Sequence, residues 1–100
     1  MTQIMTKLTV KHPGEVFRAR FLERHNISIQ AAAEKLHMKR EQLSRFVNGR
    51  TSVSNNLALK LAKATGVSVR YWLSRQMEFD LQQLERQDVK QIEAEPLLEQ

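Results

Sequence analysis

Cysteine is absent from this 100-residue chain, so neither a disulfide framework nor a thiolate metal site can be built from it. The three histidines, His12, His25 and His37, are scattered without the spacing of zinc ligands. No apolar run approaches the ~18 residues of a membrane span, and the start lacks the apolar stretch of a signal peptide. These absences lead to the expectation of a soluble, cytoplasmic protein. Glycine occurs only three times, and each one reads as helix punctuation rather than as part of a phosphate loop. With no cysteine nucleophile and no carboxylates paired in an evident pocket, neither an enzyme nor a cofactor is expected.

What is present is a single domain's worth of chain with one modest core. The net charge of +5 hides a division. Residues 1–75 hold 14 Lys and Arg against 4 Asp and Glu, whereas residues 76–100 hold 2 against 7. A basic body suits a polyanion, and an acidic end suits solvent or a basic partner.

The organising stretch runs from Ile29 to Asn48. Ala32, Ala33 and Leu36 form one helical stripe, and Leu43, Phe46 and Val47 form a second, with Met38 between them at the junction. Ala33 is small enough to let the second helix cross closely. This is the spacing of a helix-turn-helix, whose second helix enters the major groove of DNA. With its apolar stripe inward, that helix presents Arg40, Glu41, Gln42, Ser44 and Arg45 outward, and Lys39 stands at its entry. Such side chains donate or accept hydrogen bonds at base edges and phosphates. The plainer alternatives are a solvated helix on a small all-α protein, or a protein-interaction module with a vestigial helix-turn-helix.

In chain order, residues 1–11 form an N-terminal arm with little helical signal. His12-Pro13-Gly14-Glu15 opens the first helix, with proline at the first turn and an acidic residue at the positive helix end. Val16, Phe17, Phe21 and Leu22 are its buried stripe, and it should end near Asn26, which tolerates a left-handed turn. Ser28, Ser54 and Ser68 are the N-caps of the second, fourth and fifth helices. The turn at His37 asks for a positive φ that histidine adopts less easily than glycine, and Lys39 is a poor N-cap, so a softer turn is expected there. Gly49 and Gly66 end the third and fourth helices, and Asn48 and Arg50 are candidates for phosphate. The fifth helix should run from Val69 to about Gln87. Its later apolar strip (Met77, Leu81 and Leu84, with Phe79 alongside) has little domain left to pack on and suits a two-fold dimer. Residues 88–100 read as an acidic tail, and residues 12–87 as the DNA-binding and dimerisation domain.

The order HPGE (12–15), FLE (21–23), AAEKLH (32–37), LSRFVNGRTSV (43–53), LALKLAKATGVS (57–68) and YWLSRQMEFDL (71–81) resembles the HigA-type antitoxins. These are a branch of the Xre-like, lambda-repressor-type helix-turn-helix family, and the resemblance covers residues 11–84. It implies an all-α, five-helix lambda-repressor-like domain with a longer C-terminal helix. It also implies a homodimer on a palindromic operator in double-stranded DNA, repressing its own operon. The implied partner is a RelE-like, mRNA-cleaving toxin of the HigB type, which the antitoxin neutralises. The alternative is a stand-alone Xre-like regulator without a toxin. The family's base-reading positions fall on Arg40, Glu41, Ser44 and Arg45, and its phosphate-binding positions on Lys39, Gln42, Asn48 and Arg50. A further phosphate-binding glutamine of the family is Ile29 here, with Gln30 beside it as a substitute.

Overall fold

The computed structural model describes residues 9–98. Among them are five α-helices and no strand. The helices are α1 (Pro13–Phe17), α2 (Ile29–Lys35), α3 (Arg40–Val47), α4 (Asn55–Thr65) and α5 (Val69–Leu84). A short 3₁₀ turn, Val89–Gln91, follows. Most of the arm, residues 1–8, lies outside the described residues.

Serine starts three helices in the same way. The hydroxyls of Ser28, Ser54 and Ser68 accept the N–H groups of Ala31, Leu57 and Tyr71, each at 3.0 Å. Each bond satisfies an otherwise orphaned donor of the first turn. Three helical segments end with the same paired bonds. At Asn26, His37 and Gly49 the backbone turns left-handed, with φ of 56°, 54° and 74°. The following N–H reaches back to close the turn: Ile27 to Leu22 O, Met38 to Ala33 O, and Arg50 to Arg45 O, at 2.8, 3.0 and 2.8 Å.

The first helix departs from the simple expectation. α1 is only five residues long and continues as a π-helical segment, Arg18–Glu23. The sequence contains the reason, because the apolar pairs Val16-Phe17 and Phe21-Leu22 lie five residues apart. An α-helix rotates them away from each other, while a turn closed over five residues returns them to one face. Val16, Phe17 and Leu22 are buried, and the Phe17 and Phe21 rings stack at 5.8 Å.

Gly14 is not helix punctuation. A Cβ there would overlap the carbonyl oxygen of Phe46 and stand 2.6 Å from its carbonyl carbon. The missing side chain is what lets the start of α1 lie directly on the last turn of α3. The core fills the space between helices with Leu43, Phe46, Val47, Leu61 and Trp72, none more than 1% exposed. Trp72 of α5 sits against Phe17 and Phe21 at 6.2 and 6.3 Å. Burying each such side chain contributes about 1.5–3 kcal/mol.

Past Trp72, α5 keeps one more buried position, Gln76, and then leaves the core. Met77, Leu81 and Leu84 are 54%, 47% and 54% exposed and share one face. Phe79 turns the other way, onto the ring of His12 at 5.0 Å. The regular helix stops at Leu84, three residues short of the expected Gln87, through turns at Glu85 to Gln87.

Candidate nucleic-acid interface

α2, the His37 turn and α3 make the helix-turn-helix. Its turn has the positive φ expected at His37, 54°, and a tie from outside the motif. Besides the paired backbone bonds at His37, the ammonium of Lys60 on α4 donates to the His37 carbonyl at 2.8 Å. Lys39 supplies no side-chain cap, but the Gln42 side chain reaches back and accepts the Lys39 N–H at 3.2 Å. This is one half of a capping box, supplied by the residue three positions into the helix.

α3 has two sharply different sides. Leu43, Phe46 and Val47 are fully enclosed, whereas Arg40, Glu41, Gln42 and Arg45 are exposed and Ser44 is half-buried. Arg40, Glu41, Ser44 and Arg45 follow at i, i+1, i+4 and i+5, so they form one outward row. Lys39 is exposed at the N-terminal end of that row, and Arg50 at the C-terminal end on the loop. Beside the row, Gln42 and Arg45 border a groove of about 310 Å³, lined on the far side by Ser54, the N-cap of α4, and by Asn56 and Lys60 of α4. Asn56 and Lys60 are not singled out by sequence reasoning. The polar run Ser54-Asn55-Asn56 at a helix start is the signal for the first of them.

Besides Gln42, two more of the sequence-derived phosphate candidates are engaged within the protein. Asn48 Oδ1 accepts from Arg18 Nη1 at 3.1 Å, and Asn48 Nδ2 donates to Ser44 O at 2.9 Å. Asn48 thus closes the end of α3 and ties it to the first helix. Gln30 Nε2 donates to Glu34 Oε2 at 3.0 Å, one turn along α2. Both side chains are exposed, so either bond can be exchanged for one to a phosphate.

Beneath the exit of α3 lies a residue that sequence reasoning passed over. His12 is 2% exposed, and its Nδ1 accepts the Gly14 N–H at 2.9 Å as the N-cap of α1. A neutral ring that accepts at Nδ1 carries its proton on Nε2, and that edge donates to the Thr51 backbone. The ring meets Phe46 at 5.8 Å and Phe79 at 5.0 Å, edge to face. Burial lowers its pKa below the usual 6.5, against the smaller raising effects of the Thr51 hydrogen bond and the Glu15 and Asp80 carboxylates. Gln76 plays a parallel part. Its side-chain oxygen accepts the Val53 N–H at 2.8 Å, and its amide donates to Asp80 at 3.0 Å.

A helix-turn-helix family profile matches residues 19–72, which run from the π-helical segment to the first turn of α5. Virulence-associated protein A of Dichelobacter nodosus is 36% identical over 92 residues, covering 88% of this chain and 90% of the relative. Antitoxin HigA-1 of Vibrio cholerae is 35% identical over 68 residues, covering 68% of this chain and 64% of its own length. Among solved structures, the Pseudomonas aeruginosa antitoxin HigA with its higBA promoter superposes with a TM-score of 0.77 at 32% identity. That match covers 89% of this chain and 99% of the Pseudomonas chain. With a braced helix-turn-helix at its centre and this likeness along nearly its whole length, the protein belongs to the HigA-type branch of the helix-turn-helix family.

Proposed function

We propose that the protein is a sequence-specific DNA-binding antitoxin. It sits as a homodimer on a palindromic operator, represses its own operon in the cytoplasm, and neutralises an mRNA-cleaving toxin. The observation that carries the DNA half is the outward row on α3, with two arginines exposed on a helix whose opposite side is fully enclosed. Lys39, Arg50 and other lysines and arginines of the basic body displace counterions from phosphates and give a sequence-blind, salt-sensitive attraction. A dimer that neutralises about eight phosphates would show a log–log salt slope of roughly −7. Discrimination then comes from α3, with Arg40 or Arg45 bidentate to guanine, Glu41 accepting from a cytosine amine, and Ser44 between them. The exposed strip of Met77, Leu81 and Leu84 supports pairing through α5, which places two such helices on one duplex.

The antitoxin half rests on family membership and on the division of charge. Asp88, Glu93 and Glu95 are exposed beyond α5, and a basic ribonuclease is drawn to carboxylates placed in this way. Footprinting on the protein's own upstream DNA tests the first half. Two protected half-sites about 34–36 Å apart are expected, and uniform protection without half-sites would refute operator reading. Co-expression with the product of the adjacent reading frame tests the second. A soluble complex and rescued growth are expected, and growth arrest unaffected by the antitoxin would leave a regulator alone.

A further inference from the structure

The loop that leaves the recognition helix is fastened from below by side chains that do not touch its exposed surface. Residues 49–53 carry Arg50 outward, while their inner side meets two buried polar groups. The His12 ring donates to the Thr51 backbone, and Gly49 lies against the same ring, where a Cβ would stand 3.7 Å from its Cγ. Two residues on, the Val53 N–H is held by Gln76 of α5 at 2.8 Å. His12 in turn packs on Phe79 of α5 at 5.0 Å, and Gln76 is oriented by Asp80 at 3.0 Å. Both ties therefore lead to a single stretch of α5, Gln76 to Asp80. The exposed strip of α5 includes Met77 within that stretch.

We propose that His12 and Gln76 are positioning residues for DNA binding: together they fasten the exit of the recognition helix to α5, so that α5 sets where Arg50 meets a phosphate. This rests on the reading of α3 as a DNA-reading helix. The physical case is that a polar group buried this deeply has a fixed partner, because leaving either half unpaired is costly. A loop held by two such bonds cannot shift without breaking one. The exposed bonds of Asn48 lack this constraint, since water replaces them readily.

The test uses His12→Asn and Gln76→Met in the full chain. Asparagine still caps α1 through its side-chain oxygen, as the Nδ1 of His12 does, but it is too short to reach Thr51. Methionine keeps the length of Gln76 and removes the acceptor for Val53. Ser68→Ala, which removes the α5 cap far from the loop, serves as a control for reduced stability. In the free protein, hydrogen exchange at the amides of residues 50–53 should rise in the two loop variants and stay unchanged in the control. Operator affinity should fall roughly tenfold, as when a charge-assisted hydrogen bond is removed. The salt slope should become shallower by about 0.9 for each phosphate that the dimer no longer neutralises. A variant that is merely less stable lowers the active fraction and leaves that slope alone. Unchanged exchange at residues 50–53 would overturn the proposal whether or not DNA is bound. Unchanged operator affinity and slope in both loop variants, with a wild type that prefers its operator, would also overturn it. A wild type that binds operator and random DNA equally would instead refute the reading of α3, with the exchange result still deciding the tie.

Discussion

Replacing Gly14 by alanine sets two effects of opposite sign against each other. Within a helix, alanine is favoured over glycine by about 1 kcal/mol, so local propensity alone makes the change stabilising. Packing predicts the reverse. The new Cβ would overlap Phe46 O, stand 2.6 Å from Phe46 C and 3.0 Å from Val47 Cα. All three are backbone atoms of the last turn of α3, so no side chain can rotate aside to relieve the overlap. α1 must lift away from α3, separating His12 and Phe17 from the Phe46 ring at the centre of the fold. Overpacking costs about 1–3 kcal/mol and more where the backbone cannot relax, which places this substitution at or beyond the upper end. After the gain in propensity, a net loss of about 2–3 kcal/mol remains, a large share of the ~5–15 kcal/mol that holds a domain of this size. Urea unfolding followed by circular dichroism measures it directly. The midpoint should fall with little change in slope, and the melting temperature should drop by roughly 10–20 °C. A neutral or more stable variant would refute the close approach of α1 to α3.

Three further outcomes follow from single positions. His37→Gly should stabilise the domain by about 0.5–1 kcal/mol in the same urea assay, because glycine relieves the positive φ at some cost in chain entropy; a loss of stability would contradict it. Burial lowers the His12 pKa, so the unfolded chain holds a proton that the native one lacks in the window between the lowered value and 6.5. Stability should be level above pH 6.5 and fall as pH drops through that window, by at most about 1.4 kcal/mol per unit, and His12→Asn should remove this slope. Leu81→Glu places a charge in the middle of the exposed α5 strip and should yield a monomer by sedimentation with the helical content kept, whereas an unchanged mass would exclude this strip as the dimer interface.

Much of the architecture is legible in the sequence because the helix ends are written locally. A serine before an apolar stripe, or Asn26 and Gly49 after one, requires only neighbours within four residues to act, and those neighbours are present. The outward row Arg40, Glu41, Ser44 and Arg45 is legible for the same reason, since helical periodicity alone separates it from Leu43, Phe46 and Val47. What escapes local reading depends on distant partners. Gly14 looks like a helix start, and only the backbone of Phe46, 32 positions away, shows why it must lack a side chain. Gln76 looks like a solvated position until Val53 arrives beneath it, and Phe79 joins the apolar strip on paper but faces His12 in space. The i, i+5 spacing of the apolar pairs hints at the π-helical segment, but such a pattern reads as helical without specifying the turn. Lys60 resembles one more solvated cation, although its ammonium braces the helix-turn-helix from α4.

If α3 reads sequence, a competition titration will separate operator from random DNA. The protein is titrated at fixed physiological salt into a duplex spanning its own promoter and into a shuffled duplex of the same composition. A preference of about 10³-fold or more for the promoter is expected. Arg45→Ala should reduce that preference by roughly 10–100-fold, through the loss of about 1–3 kcal/mol at one base position. Equal affinity of the wild-type protein for the two duplexes would contradict sequence reading by α3.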